Sequence, residues 1–544
     1  MNALPEPIPS DPTSSPVERD KTIQGDLHTP RPPSLAARHP LLGAGRPRLP
    51  EELRECQLRI EEAAIERGLS FDPIVYEMLQ PSEVNAIAAR DGFPIRYPHW
   101  RFGMEYEFLN KSYEHGSSKI YELVINNNPV FAYLMDSNHG YDQEFVIAHV
   151  TGHADFFKNN IYFSQTNRQA VDMMASHAVR VQRYMNLHGR ETVEKMIDRA
   201  LSIEDLVDPY QLLIAAKTPS PGGSEQVNLY DGGMIPGKIR TSRDYLDSFV
   251  NPPEILEKFR ADEEKKAKAA ARRFPEKPSR DVMQFLIEHA PLEDWQRDIL
   301  SIVRAESLYF LPQRQTKILN EGWASYWHSE LMRAVVLDED RVFPFAHLHS
   351  GVTATSPQQL NPYKLGIELL RDIEDRWNKG KFGPEWESCT DMAERSRWDK
   401  KLGLGREKLF EVRRYENDLS FISNYLTMEF CEKHGLFTFS QNKATGDYVI
   451  RSREFNKVRE TLVRQLLNGG RPIIELVDGN LHNRGEFRLQ HVFEKDPLRE
   501  DYAARVLDNL YHIWTRPVHI DSQKNNEPMR YTFDARGYRK DSIS

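Results

Sequence analysis

His149 and His153 stand four residues apart in FVIAHVTGHADFFK. A helix over that segment sets both imidazoles on one face, one turn apart, where two nitrogens can bind a single metal ion. A chain with 18 histidines in 544 residues yields about 0.6 such pairs by chance, so the pair needs support from its surroundings. Gly152 supplies some. Inside a helix, glycine costs about 1 kcal/mol relative to alanine, and its place between the histidines predicts close approach by another backbone or by a ligand. A hairpin just ahead of the helix adds a strand edge of the kind that holds extended substrates in zincin metallohydrolases. A carboxylate from a second helix usually completes a two-histidine zinc site, leaving one position for water, and Glu321 in NEGWASYWH is such a carboxylate. The expected ligands are therefore His149, His153 and Glu321, around a divalent metal that these donor types suit to zinc. Ser325 and His328 share the face of Glu321 at spacings of four and seven, which makes His328 an alternative ligand or a hydrogen-bond partner of one.

Hydrolysis at such a metal needs a general base, and here the chain departs from H-E-x-x-H, because Val150 follows the first histidine. The inverted motif fails too, since Gly152 precedes the second. The candidates for catalytic base are Glu306, His177 and Asp142. Asp142 lies seven residues before His149, Glu306 is on the helix leading into the Glu321 element, and His177, counted back from a turn near Tyr162, comes opposite Ile147. Asp155 sits about 120° round the helix from His149 and reads as a solvent-facing or capping residue. His347 and His349 in FAHLHS read as surface residues of a loop. No P-loop, Rossmann glycine pattern or G-x-S-x-G elbow occurs, which argues against nucleotide-driven chemistry and a serine hydrolase of that type.

The elements that must position these groups are mostly helical. EELRECQLRIEEAAIERGL has helical spacing. KIYELVI and VFAYLMD, separated by Asn126 to Pro129, form a β-hairpin directly before a helix from Tyr141 to Lys158. Helices follow over Asn167 to His188, stopped by Gly189, and over GRETVEKMIDRAL; Thr218 to Gly237 reads as a loop. The mixed-charge stretch Pro253 to Phe274 reads as a solvated helix face rather than a nucleic-acid patch. Leu292 to Phe310 is a further helix, and Pro312 starts the one that carries Glu321. Beyond residue 435, LFTFS and DYVIRS flank a turn-like NKATG, and PIIELVD, EFRLQHVF and PVHID read as strands around a helix from Arg499 to Trp514. The expected fold is mainly α with a β-hairpin or small sheet, a zincin-like helical core over residues 50–434. A small α+β domain over 435–544 follows it, and a disordered, Pro-rich tail over 1–49 precedes it.

Bulk properties narrow the partners. A net charge of -9 and a pI near 6.1 offer no attraction to nucleic acid or anionic lipid. No run of about 18 apolar residues is present and the first residues lack a signal-peptide pattern, so no membrane span or export is expected. Cys56, Cys389 and Cys431 lie far apart, which suits a reducing cytoplasm.

The segments AHVTGHADFFKNN, QTNRQAVDMMASHAVRVQRY, YFLPQRQTKILNEGWASYWH, NRGEFRLQH and IWTRPV resemble the stage V sporulation protein R (SpoVR) family, over about Arg54 to Asp521. The resemblance implies a cytoplasmic bacterial protein, tied in spore formers to building the spore cortex and elsewhere to stress responses. It also implies a serine protein kinase and a von Willebrand A-like protein as partners. Two functions are expected from these readings. One is a metal-dependent, zincin-like hydrolase, an amidase or peptidase acting on cell-envelope precursors or proteins. The other is a non-catalytic scaffold whose ancestral site lost its base when position 150 became valine.

Overall fold

A computed structural model describes residues 49–114, 122–211, 273–336, 342–353, 360–441, 448–525 and 527–543, with residues 213, 252 and 257 singly. The Pro-rich tail up to residue 48, the loop over 218–237, nearly all of the mixed-charge stretch and the NKATG turn lie outside them. All multi-residue described stretches fall within one unit, 47–544.

Helix α1 (Glu51–Glu66) turns Leu53, Cys56, Ile60, Ala63 and Ala64 inward. Strand β1 (Ile74–Leu79) follows, then helices α2 (Pro81–Ala88) and α3 (Trp100–Glu114), and then the expected hairpin of β2 (Glu122–Ile125) and β3 (Val130–Met135). The sheet has the order β1-β3-β2, with β1 parallel and β2 antiparallel to β3. All six β3 residues are buried, as a central strand requires. β1 was not expected as a strand. Its partner lies some fifty residues away beyond two helices, so no local pattern reveals the pairing.

Helix α4 (Gly140–Asn159) carries the two histidines and is buried at every residue from Phe145 to Phe157. A helix apolar on all sides belongs in the centre of a core, and α4 lies against α1, the small sheet and the Glu321 helix. The Tyr76 hydroxyl reaches across from β1 to the carbonyl of Ile147 at 3.3 Å. Helices α5 (Ala170–His188) and α6 (Arg190–Leu201) join at Gly189, which takes φ +86°. After α7 (Val282–His289), helix α8 (Asp294–Gln315) runs through Pro312 and ends a turn later, so Pro312 does not begin the next helix. The break falls at Thr316, whose hydroxyl and N–H both bond to the Pro312 carbonyl.

Helix α9 (Lys317–Leu331) then carries Glu321. Its first free N–H groups, those of Ile318 and Leu319, each donate to the buried Asp418 carboxylate at 2.8 Å. The short helix α10 (Val342–Val352) and the long α11 (Pro362–Lys379) follow, with α12 (Gly405–Tyr415) and α13 (Asp418–Tyr425) behind them. Small residues set the spacing of this layer. A Cβ on Gly152 would stand 2.7 Å from the Ala324 Cα, and one on Gly322 would stand 2.5 Å from the Gly366 backbone. The glycine between the histidines therefore admits the backbone of the Glu321 helix. Gly322→Ala forces α9 away from α11, and a loss of about 1–3 kcal/mol is expected from urea unfolding, with lower metal content because Glu321 is the neighbouring residue.

Strands β4 (Thr438–Gln441) and β5 (Tyr448–Ser452) pair antiparallel ahead of helix α14 (Phe455–Leu466). The remaining chain forms β6 (Ile473–Leu481), β7 (Glu486–Val492), helix α15 (Glu500–Trp514), β8 (Val518–Lys524), β9 (Glu527–Asp534) and β10 (Gly537–Ser542). This five-stranded sheet has the order β10-β9-β8-β7-β6. A second apolar cluster joins Leu476, Phe487 and Ile520 of the sheet to Leu507 and Ile513 of α15, Val193 and Ile197 of α6, and Phe285 of α7. The last two strands were not foreseen, because EPMRYTFD and YRKDS are mostly polar and half-exposed. The fold is mainly helical with small sheets, as the sequence predicts.

Candidate metal centre

Three elements converge on one point in the first core. α4 sets the His149 and His153 rings 4.6 Å apart and nearly perpendicular, α9 brings Glu321, and β2 brings Glu122. Glu321 Oε2 is 3.6 Å from His149 Nε2 and 3.5 Å from His153 Nε2, and Glu122 Oε1 is 3.6 Å from His149 Nε2. An N–H···O hydrogen bond spans about 2.7–3.2 Å, so these separations are too long for one. They match the edges of a tetrahedron whose centre lies about 2.0–2.2 Å from each ligand, roughly 3.3–3.6 Å. Donor atoms of Glu122, His149 and His153 all lie within 4.8 Å of one another, and this group could hold a metal ion.

The hydrogen bonds behind the histidines leave the right nitrogens bare. His153 Nδ1 is 3.0 Å from Asn320 Oδ1; an amide oxygen only accepts, so Nδ1 carries the proton and Nε2 presents its lone pair. His149 Nδ1 is 3.0 Å from His328 Nδ1, and His328 Nε2 is 3.2 Å from His349 Nδ1. A bare His149 Nε2 makes its Nδ1 the donor to His328, which in turn donates through Nε2 to His349. That arrangement requires a neutral His328. Burial, with His149, His349 and Arg371 close by, holds His328 well below the ordinary histidine range, and burial with Arg371 lowers His349 too. His328 is thus placed behind His149. His328→Phe keeps a ring against Phe145, 4.2 Å away, but removes the acceptor, and metal affinity is expected to fall about 10–100-fold in competition with a fluorescent chelator.

The two carboxylates are driven in opposite directions. Burial opposes the charge on Glu321, but the two imidazoles facing it prevail and hold it well below the usual carboxylate range. Burial pushes Glu122 up, His149 and His153 offset only part of this, and the charge of Glu321 adds to it. Burial also opposes the charge on His153, yet Glu321 outweighs it and raises His153. Tyr363, with its ring 6.2 Å from that of His149, is kept protonated by burial and by both carboxylates.

Other predicted residues lie elsewhere. His177 Nδ1 is 2.9 Å from Glu306 Oε1, while Glu306 Oε2 accepts from Arg96 at 2.5 Å and from the Tyr97 hydroxyl at 3.4 Å. Among the described residues no hydrogen bond or ion pair joins this buried group to His149, His153, Glu122 or Glu321. The face of α5 that carries His177 is turned to α8, so level placement along α4 does not bring the two together. Asp142 is buried in the first turn of α4, two turns before His149. Asp155 is neither solvent-facing nor a cap. It is fully buried and binds Arg413, Trp323 Nε1 and the Ser70 N–H. His349 is not a loop residue of the surface either, because FAHLHS lies in α10. There two residues subtend about 200°, which leaves His347 exposed and turns His349 to His328. Glu122 was missed. Its one signal is position: an acidic residue in an apolar strand next to the histidine helix.

Fold and centre together define a mainly helical protein with two histidines and two carboxylates gathered in its core. The chain belongs to the SpoVR-like family, whose model, described as SpoVR like protein, matches residues 48–471. It is 29% identical over 467 residues to YcgB, an uncharacterized protein of Escherichia coli strain K12, a match covering 80% of this chain and 84% of that one. No solved structure matches. Among the described residues no helix is long and apolar enough to cross a membrane.

Proposed function

We propose that this chain is a metal-dependent hydrolase of amide bonds, an amidase or peptidase, with His149, His153 and Glu321 as ligands and Glu122 as general base. The observation that carries this reading is the placement of the two carboxylates: Glu321 Oε2 lies 3.6 and 3.5 Å from Nε2 of His149 and His153, as a shared ligand position requires, whereas Glu122 reaches the pair from β2 with Oε1 3.6 Å from His149 Nε2. Burial raises the Glu122 carboxyl, the direction a proton acceptor and donor needs. Val150 then marks a relocated base, supplied by the neighbouring strand rather than by the histidine helix. The metal, which the donor set suits to zinc, would polarise the scissile carbonyl and the attacking water. Glu122 takes the proton of that water and hands it to the departing amine. The surrounding core, with His149 and His153 both buried, limits access of bulk water. Cell-envelope precursors and proteins are the substrates that the family resemblance suggests.

Glu122→Gln and Glu321→Gln separate the roles. Glu122→Gln is expected to keep its metal while metal-dependent hydrolysis of peptide and peptidoglycan substrates falls at least about a hundredfold. Glu321→Gln loses metal and activity together. Undiminished hydrolysis in Glu122→Gln, or no metal-dependent product from the parent protein, would sink the proposal.

A further inference from the structure

We infer that the five-stranded sheet carries a second binding site, a cavity beside α15 that takes an uncharged small molecule with an apolar body and one polar group. The site stands apart from the metal centre and does not rest on the hydrolase reading. It arises where the packing of α15 on the sheet gives out. Along β7 the core-facing positions are Phe487, Leu489 and His491, and the buried stripe of α15 includes Leu510, Leu507 and Ala503. Phe487, Leu489, Leu507 and Leu510 fill the second apolar cluster. The next positions hold a histidine and an alanine, and His491 and Ala503 both line a cavity of about 520 Å³. Its other apolar walls are Leu206 beyond α6, Ile473 and Ile474 of β6, Leu498, and Val506 of α15. Ile473, Ile474, Leu498 and Val506 are only half-buried, so much of their apolar surface is left for a guest.

His491 and the mouth select that guest. His491 is 4% exposed, its Nδ1 lies 2.8 Å from Ser522 Oγ, and among the described residues its Nε2 has no partner. Burial lowers the imidazole below the ordinary histidine range, so the ring is neutral and offers one hydrogen bond at Nε2. A ring nitrogen left unmatched against an apolar wall costs free energy, which a guest with one polar atom recovers. The mouth carries Arg464, Arg471 and Arg499, and each already faces a carboxylate: Asp496 at 3.4 Å, Asp205, and Asp501 at 2.9 Å. Paired in this way, these arginines do not call for an anion. A sugar or a nucleotide would leave most of its hydroxyl or phosphate groups unmatched on this lining. An aromatic or branched aliphatic molecule with a single carbonyl or hydroxyl fits it, and cavities of about 300–1,000 Å³ lined in this way bury most of a small ligand.

The test uses the full chain and prodan, an uncharged naphthalene with one ketone oxygen whose emission moves to the blue when it leaves water. Saturable binding of one prodan per chain is expected. Ala503→Phe fills the cavity and should weaken binding at least about tenfold. Val506→Phe, at a half-buried position that disturbs the core less, should do the same and decides the matter if circular dichroism shows Ala503→Phe unfolded. His491→Phe keeps a ring but removes the polar atom, for an expected loss of about threefold to tenfold. Anilinonaphthalene sulfonate, an anionic relative, should bind this site more weakly than prodan. Absence of saturable prodan binding, as for a cavity that holds water only, overturns the inference. So does undiminished binding in a folded cavity-filling variant or in His491→Phe, or sulfonate binding that is tighter than that of prodan and lost in the same variants.

Discussion

Replacing His149 and His153 together with alanine is expected to leave a folded chain that has lost its metal. A structural zinc ion binds with about 10–16 kcal/mol spread over four ligands, so each imidazole carries about 2.5–4 kcal/mol. Removing both weakens binding by about four to six orders of magnitude, well beyond what dialysis against a weak chelator tolerates. The fold is expected to survive with lowered stability: Gly152 and Ala324 continue to set the spacing between α4 and α9, while truncation leaves Glu321, His328 and Asn320 without these partners. Plasma mass spectrometry of dialysed protein reads the outcome, with circular dichroism as the check on fold. His177→Ala is the control, because His177 belongs to the separate group around Glu306, and it should keep its full metal complement.

The second large effect concerns stability. Asp155 lies on α4 away from the metal face, and its two oxygens accept from Arg413 at 2.7 and 2.6 Å, from Trp323 Nε1 at 2.9 Å and from the Ser70 N–H at 2.8 Å. Asp155→Ala strands the Arg413 guanidinium in the core with no carboxylate. Breaking a buried pair from one side costs about 3–5 kcal/mol, a shift of two to nearly four orders of magnitude in the folding equilibrium, and should be plain in a denaturant titration. Substituting both partners, Asp155→Ala with Arg413→Met, removes the unpaired charge and is expected to recover part of the loss. A double substitution no more stable than Asp155→Ala would mean that the cost lies in the lost contacts to Trp323 and Ser70 rather than in the stranded charge.

These two residues show how far the sequence could be read. The helical face shared by His149 and His153 is a matter of spacing, and the expectation of a carboxylate on a second helix pointed to Glu321, which the fold sets 3.6 and 3.5 Å from the two imidazoles. Asp155 was placed correctly around the helix axis but assigned to solvent. FVIAHVTGHADFF is apolar on every side, however, and a helix of that kind has no solvent face. Glu122 could not be found from periodicity, because one carboxylate in a short strand has no repeat to stand out from. Only the tertiary approach of β2 to α4 gives it a role. His328 was recognised as a partner of the centre, whereas His349 was hidden by two-residue spacing that imitates a strand. The hairpin announced itself through its turn residues. β1 did not, since its pairing with β3 is closed by a crossover whose ends carry no common signal.

The most direct measurement is anomalous diffraction at the zinc edge from crystals of the full chain grown with stoichiometric zinc. A single strong peak is predicted about 2.0–2.2 Å from Nε2 of both His149 and His153 and from an oxygen of Glu321. No peak at that point, or a stronger one held by other residues, would contradict the assignment of this cluster as the metal centre.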